Sequence, residues 1–177
     1  VRLYKKYQAE HADASFPPAI ILMTSFLEQT RKGLKNSTGI VYEIPGVTSF
    51  VNLRSLLYQS VRRIGVIYRP GFEGFIEEQS KLAATEKFKL VPILVDPDNM
   101  TRSLTRALKK LLKGNKIDAL WILNDNALLN KKLFHKGWLP ALKKYKKPVL
   151  VGVDSLVSPM FSFGNFGVLP DHVALGV

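Results

Sequence analysis

The sequence IDALWILNDN, at residues 117–126, decides the fold class of this chain. Its five apolar residues, 119–123, follow one another without a polar interruption, which is typical of a short strand covered on both faces, as in a parallel sheet. The chain then changes abruptly to Asn124, Asp125 and Asn126. Ligands of open α/β sheets bind at the carboxyl ends of the strands. The stretch therefore predicts a parallel sheet with polar groups at its ligand-binding edge.

The same pattern recurs on both sides of this strand. In chain order, the other predicted elements are a strand at 64–68, a helix at 73–88, a strand at 90–95, a helix at 101–113 and a strand at 149–153. Residues 128–147 also have helical spacing, but Gly137 and Pro140 predict a break into two helices. This alternation predicts an α/β fold with right-handed crossovers and a Rossmann-like parallel sheet between two helical layers.

The chain before residue 62 is less regular. Its predicted elements are an arm or frayed helix at 1–16, strands at 19–23 and 39–44, and a helix at 49–61 that Thr48 or Ser49 caps. We therefore predict an incomplete first lobe at residues 1–61 and a second α/β lobe at residues 62–155. Residues 156–177 are predicted to be a crossing segment that returns to the first lobe.

The composition excludes several classes of protein. Of the 177 residues 46% are hydrophobic, which is enough for a core, and no cysteine is present for disulfides or thiolate metal sites. Every apolar run is shorter than the roughly 18 residues that a membrane span needs. The first 16 residues lack the apolar region of a signal peptide.

The formal net charge of +12 leaves open a nucleic acid, an anionic membrane or an acidic partner. Much of the excess lies at residues 102–116 and 131–147, on the polar faces of predicted amphipathic helices. The strands carry no alternating aromatic residues on which bases could stack. We therefore interpret the lysines as solvated helix faces and expect no nucleic-acid partner.

Polar side chains follow four of the predicted strands, in loops that a parallel sheet brings to one edge. These loops are 69–73, 96–99, 124–126 and 154–155. Asp125 and Asp154 can accept hydrogen bonds from a ligand, and Phe72 can stack on a ring or an aliphatic group. The alternative is that the Asp, Asn and Ser residues simply cap the following helices.

Catalytic and cofactor motifs are missing. The turn at residues 69–74, RPGFEG, matches neither GxGxxG nor a phosphate loop, and no GxSxG occurs. His11, His135 and His172 lack metal-ligand spacing. We therefore predict a protein that is not an enzyme and has no metal or cofactor.

Several short motifs, in a fixed order, resemble a known family. They are NSTGIV at 36–41, the helix at 52–61 and RRIGVIYRP at 62–70, followed by the segments 117–126, 147–155 and 164–177. This order resembles the ABC-transporter substrate-binding proteins of the group that includes proposed tryptophan and tyrosine receptors. The resemblance implies a type I periplasmic binding protein fold, with one complete lobe and one truncated lobe. The family usually has Asn where this chain has Arg69, a large cation that would alter the cleft.

The resemblance also implies which residues face a ligand. They are Thr24 and Ser25 from the first lobe, and Pro70, Gly71, Phe72, Asn124, Asp125, Asn126, Asp154 and Ser155 from the second.

The function implied by the resemblance is that of a periplasmic or extracytoplasmic receptor. It would bind a small organic ligand, such as an amino acid, between two lobes and deliver it to an ABC permease. A homo-oligomer would be one way to complete the truncated lobe. One alternative is the sensor domain of a signalling protein with the same fold, whose partner would be a signalling domain. A basic α/β protein that binds nucleic acid is a third hypothesis, which steeply salt-dependent retention on DNA or RNA would support.

Overall fold

A computed structural model of the protein describes residues 1–22, 24–41, 43–58, 60–114, 116–153, 156–157 and 163–169. The chain divides into two compact units, Val1–Glu43 and Ile44–Val177. None of the helices formed by the described residues combines the length and the apolar character needed to cross a membrane. The assignment of 1–61, 62–155 and 156–177 to lobes and a crossing segment stays a prediction.

The first unit contains two helices and two short parallel strands. They are α1 (Arg2–Glu10), β1 (Ala19–Ile21), α2 (Leu27–Arg31) and β2 (Ser37–Gly39). The prediction of a strand at 39–44 is wrong, because β2 ends at Gly39. The Ile40 N–H still donates to the carbonyl of Ile21, but Ile40 and Val41 are 48% and 60% exposed and lie beyond the paired residues of β1 and β2. The three residues of β1 set the length of β2, because a strand needs a partner for its backbone groups.

The second unit is a parallel α/β sheet. Its elements are α3 (Gly46–Leu56), β3 (Arg63–Tyr68), α4 (Glu73–Thr85), β4 (Lys89–Leu94), α5 (Met100–Leu112), β5 (Ala119–Trp121), α6 (Lys131–Leu133), a π-helical turn (Phe134–Trp138), α7 (Leu139–Tyr145), β6 (Val149–Val151) and β7 (Phe166–Gly167). The strand order is β4-β3-β5-β6-β7, and all pairs are parallel. The predicted α/β class with a Rossmann-like parallel sheet is confirmed.

Helices cover both faces of this sheet. The apolar side of α5, with Leu104, Leu108 and Leu111, joins one large buried cluster with the strand residues Leu120 and Val149. On the other face, Phe50 of α3 meets Trp121 of β5 edge to face, with ring centroids 5.3 Å apart. All three residues of β5 are buried, as expected for a central strand with helices on both faces.

Helix α3 begins earlier than predicted, and the predicted caps Thr48 and Ser49 do not begin it. The helix starts at Gly46, and the side chain of its N-cap residue, Pro45, forms no capping hydrogen bond. The Gly46 N–H instead donates to the Oε1 of buried Gln79, at 2.7 Å. A tertiary hydrogen bond from α4 thus satisfies one of the N–H groups that a helix start leaves unpaired. Helix α3 therefore packs within the second unit.

The interruption predicted at Gly137 and Pro140 is a π-helical turn that joins α6 to α7, so two α-helices form without a break in the helical backbone. The Leu139 N–H bonds to the carbonyl of Phe134, five residues earlier. Pro140 has no N–H for the ordinary bond to residue 136, and the wider turn passes this gap without ending the helix. A Cβ on Gly137 would lie 2.8 Å from Cδ2 of Leu104, so the absence of a side chain lets the turn approach α5.

Among the described residues the sheet ends with β7 on one side and β4 on the other. The tail supplies β7, in which Phe166 and Gly167 pair with β6. At the other end, β3 is the one neighbour that β4 has among the residues that the structure describes, and Pro92 lies in the middle of β4. The N–H groups of Lys89 and Val95 donate toward β3, to Arg62 and Tyr68. Alternate residues of a strand point their backbone groups to opposite sides, so the nitrogen of Pro92 faces away from the sheet.

Candidate functional site

The sheet brings two of the predicted polar loops together. Strand β3 lies directly beside β5 in parallel, with Ile64 opposite Ala119 and Val66 opposite Trp121. The loops that follow these strands therefore leave the same edge. One carries Arg69 and the other carries Asp125. We call the carboxyl ends of β3, β5 and β6 the polar edge.

Arg69 and Asp125 form an ion pair across the polar edge. The Nε–H of Arg69 donates to Oδ2 of Asp125 at 2.5 Å. The Asp125 side chain is only 5% exposed, whereas that of Arg69 is 35% exposed. The other carboxylate oxygen, Oδ1, accepts from the backbone N–H of Ala127 at 3.0 Å. Both oxygens of Asp125 thus have partners within the protein.

This arrangement changes the role expected for Asp125. As a predicted ligand-binding residue it would offer a carboxylate to a solute, but in the structure the carboxylate is buried and paired with Arg69. The hydrogen bond from the Ala127 N–H orders the local turn, as an Asp side chain that accepts two residues later does. It is not the helix cap of the alternative interpretation, because Asn130 caps α6. Direct contact between Asp125 and a solute stays a prediction.

The turn after β3 holds Phe72 beneath Arg69. Pro70 precedes Gly71, whose φ of +92° is the left-handed value that a type II turn requires at its third position. The Gly71 N–H donates to Oε2 of Glu73 at 2.8 Å. Phe72 is 5% exposed, and the guanidinium carbon of Arg69 lies 4.6 Å from its ring centroid. The guanidinium therefore covers the ring face on which a solute could stack. Stacking of a solute on Phe72 stays a prediction.

Asn124 is held against the neighbouring strand end. Its Nδ2 donates to the carbonyl of Gly152 at 3.3 Å. A Cβ on Gly152 would lie 2.6 Å from that Nδ2, so the close approach depends on glycine. The Oδ1 of Asn124 is buried without a hydrogen-bond partner among the described residues. Asn126 is exposed. Both asparagines stay predicted ligand-binding residues.

The remaining predicted site residues are distributed as follows. Thr24 and Ser25 belong to the first unit, where the Thr24 hydroxyl donates to the carbonyl of Leu22 and the Ser25 carbonyl accepts from Thr30. Asp154 and Ser155 lie outside the described residues. Among the residues that the structure describes, no group of three or more His, Asp or Glu side chains has an arrangement that could hold a metal ion.

The sequence interpretation treated Arg69 only as a departure from a family pattern. The structure shows that it is the cation that neutralises Asp125. A signal existed, since a basic residue directly follows one buried strand and an acidic residue follows another. It became readable only once β3 and β5 were known to be neighbours.

An open depression of about 800 Å³ lies at the opposite edge of the same sheet. It is lined by Leu53 and Leu57 of α3, by Lys147 and Pro148 before β6, and by Phe166 of β7. No motif pointed to it. Its wall combines apolar side chains with lysines and has none of the paired polar groups of the polar edge, so we place the candidate site at the polar edge.

No protein-family model and no curated protein sequence matches this chain. Two solved structures share its fold. The ABC domain in complex with L-Trp from Streptococcus pneumoniae has a TM-score of 0.66 and 20% identity, over 96% of this chain and 58% of that one. The ligand-free, open structure of a substrate-binding protein with adhesive properties from Clostridium difficile has a TM-score of 0.53 and 18% identity, over 82% of this chain and 49% of that one. The chain thus has the fold of part of a substrate-binding protein and spans about half the length of those it matches.

Proposed function

We propose that this protein is the solute-binding receptor of an ABC uptake system, and that it binds a small organic solute at the polar edge. The likeness in fold to two substrate-binding proteins, one of them in complex with L-Trp, carries this proposal. An amino acid is the solute class that we test first. In this proposal the fold is of type I, the location is extracytoplasmic and the partner that receives the solute is a permease.

The arrangement of the polar edge supports the proposal on physical grounds. Open α/β sheets bind ligands at the carboxyl ends of their strands, and here Arg69, Asn124 and Asn126 all follow such ends. Together they offer a guanidinium and two amides, which are groups that orient a polar solute by directed hydrogen bonds. These groups act through directed hydrogen bonds, so the proposal does not depend on the net charge.

The test is a thermal-shift screen of the full-length protein against the twenty common L-amino acids, together with neutral sugars and polyamines. A binding solute stabilises the native state, and at one hundred times its Kd it adds about 2.7 kcal/mol to the free energy of unfolding. We expect at least one amino acid to raise the Tm. A screen in which no solute raises the Tm would overturn the proposal.

A pair of asparagine variants locates the binding. Asn126→Ala removes an exposed amide at the polar edge, whereas Asn52→Ala removes an exposed amide from α3. We expect the first to weaken solute binding about tenfold, the effect of one lost hydrogen bond of about 1.4 kcal/mol, and the second to leave it unchanged. Equal affinity of both variants for the solute would remove the polar edge from the proposal.

A kinase or cyclase region beyond a membrane span in the full-length protein would favour a sensor over a transporter.

A further inference from the structure

We propose that Arg69 selects the solute, by binding a carboxylate group and by denying Asp125 to an ammonium group. This inference rests on the proposed function and adds to it the class of group that the polar edge recognises.

Arg69 uses only part of its hydrogen-bonding capacity. The ion pair with Asp125 is made through Nε, and among the described residues no acceptor is bound to either Nη group. The side chain is 35% exposed, so part of it is open to solvent. The two Nη groups present parallel N–H donors, which is the geometry that matches the two oxygens of a carboxylate. A carboxylate can therefore bind without breaking the ion pair.

The guanidinium is held in place from two sides. Asp125 fixes Nε, and the ring of Phe72 lies 4.6 Å from the guanidinium carbon. The nearby Glu73 directs its Oε2 at the Gly71 N–H, and the described residues include no ion pair between Glu73 and Arg69. A preorganised donor loses less conformational freedom when it binds its partner.

An ammonium group faces the opposite situation. Asp125 is a buried carboxylate at this edge, and both of its oxygens already have partners in Arg69 and Ala127. A solute ammonium would have to displace Arg69 and would leave a guanidinium without its counter-ion. The solute would only exchange one charge-assisted hydrogen bond to Asp125 for another, while its ammonium group and the displaced guanidinium would repel each other at this edge. The polar edge should therefore accept a carboxylic acid and reject the amine of the same shape.

The experiment compares solutes that differ only in their charged groups. The aromatic series is L-phenylalanine, 3-phenylpropanoate and 2-phenylethylamine, and the aliphatic series is L-leucine, 4-methylpentanoate and 3-methylbutylamine. Affinities are measured by calorimetry on the full-length protein, wild type and variants. For the wild type we expect the acid to bind within about tenfold of the amino acid, and the amine to bind at least about a hundredfold more weakly.

The central variant is Arg69→Asn, and Arg106→Asn on the exposed face of α5 is its matched control. We expect Arg69→Asn to weaken binding of the acids at least about tenfold and to strengthen binding of the amines, because Asp125 loses its internal cation. The control should bind like the wild type. If Arg69→Asn does not fold, the variant Arg69→Lys tests the role of Arg69 instead. It keeps the charge without the planar fork, so it should weaken binding of the acids without admitting the amines.

The outcomes separate this inference from the proposed function. A screen in which no solute binds overturns both. Binding of a sugar or a polyamine alone overturns the role of Arg69 and leaves a solute-binding protein. The role of Arg69 is also overturned, and the solute-binding function kept, if the amines bind the wild type as tightly as the acids do. Unchanged affinity of Arg69→Asn for the acids has the same meaning.

Discussion

Asp118 and Arg63, which are 55 residues apart in the chain, join the amino ends of β5 and β3. Nη2 of Arg63 lies 3.0 Å from Oδ1 of Asp118, and the backbone N–H groups of Arg62 and Arg63 donate to Oδ2 at 3.0 and 2.8 Å. The Asp118 N–H in turn donates to the carbonyl of Arg63 at 2.8 Å. One carboxylate thus organises the start of two central strands, at the edge opposite to the candidate site.

Removal of this carboxylate should destabilise the protein without affecting solute binding. Asp118→Ala leaves two backbone N–H groups and a guanidinium without their acceptor, and we expect a loss of about 2–3 kcal/mol in the free energy of unfolding. Urea denaturation followed by circular dichroism measures the change. Asp13→Ala, at an exposed position of the first unit, is the control and should change stability by less than about 0.5 kcal/mol. A loss of stability in Asp13→Ala equal to that in Asp118→Ala would contradict this assignment.

The same carboxylate predicts an acid-sensitive contribution to stability. Burial raises the pKa of Asp118, but the hydrogen bonds from the Arg63 side chain and from the N–H groups of Arg63 and Arg62, with the positive charge of Arg63, outweigh it, so the pKa lies below the ordinary value of 3.8. Because the pKa is lower in the folded protein, the contribution is fully present above the pKa of the unfolded chain. It is lost as the pH falls from there through the lower pKa of the folded protein.

This pH dependence is measured by comparing wild type and Asp118→Ala in denaturation curves between pH 7 and pH 2. We expect the difference in stability between them to stay constant down to about pH 4 and to shrink below it. A difference that shrinks between pH 7 and pH 5 would show that another group titrates.

The π-helical turn predicts a contrast between two glycines. Gly137→Ala places a methyl group 2.8 Å from Cδ2 of Leu104 and should cost about 1–3 kcal/mol, as overpacked cores do. Gly74→Ala in the first turn of α4 meets no atom within 4 Å and should be neutral or stabilise by up to about 1 kcal/mol. Thermal unfolding distinguishes the two. A stabilising Gly137→Ala would mean that α5 and the turn are not in close contact.

Gly152 and Asn124 should be energetically coupled. The Cβ of Gly152→Ala would lie 2.6 Å from Nδ2 of Asn124, so the variant should be destabilised by about 1–3 kcal/mol. In the background of Asn124→Ala the amide is absent, and we expect most of this cost to disappear. A double-mutant cycle measures the coupling, for which residues in contact give about 0.5–3 kcal/mol. Additive effects would argue against the contact.

The local patterns of the second unit were predictable because each strand and helix carries its own periodicity. The amphipathic helix at 101–113 was predicted from spacing alone, and its residues Leu104, Leu108 and Leu111 are buried. The start of α3 was not predictable, because its N–H is satisfied by Gln79, which is 33 residues away. The end of β2 depended in the same way on the length of a partner strand. Local sequence does not reveal partners of this kind.

The candidate site shows the same limit. Asp125 was found from its place after a buried strand, and its position at the polar edge follows from the parallel sheet. Its partner Arg69 was not identified, because strand order is a property of the whole sheet. An isolated carboxylate and an ion pair look the same in the sequence, although they favour opposite charges on a ligand.

The outward-facing nitrogen of Pro92 affects how readily separate molecules of this protein associate with one another. An edge strand with an unbroken row of donors is a template on which a strand from another chain can add, and such addition is a common start of aggregation. Pro92 removes one donor from the middle of that row in β4. This edge of the sheet is thus a poorer template for a second chain, through an amino acid that adds no charge to the surface.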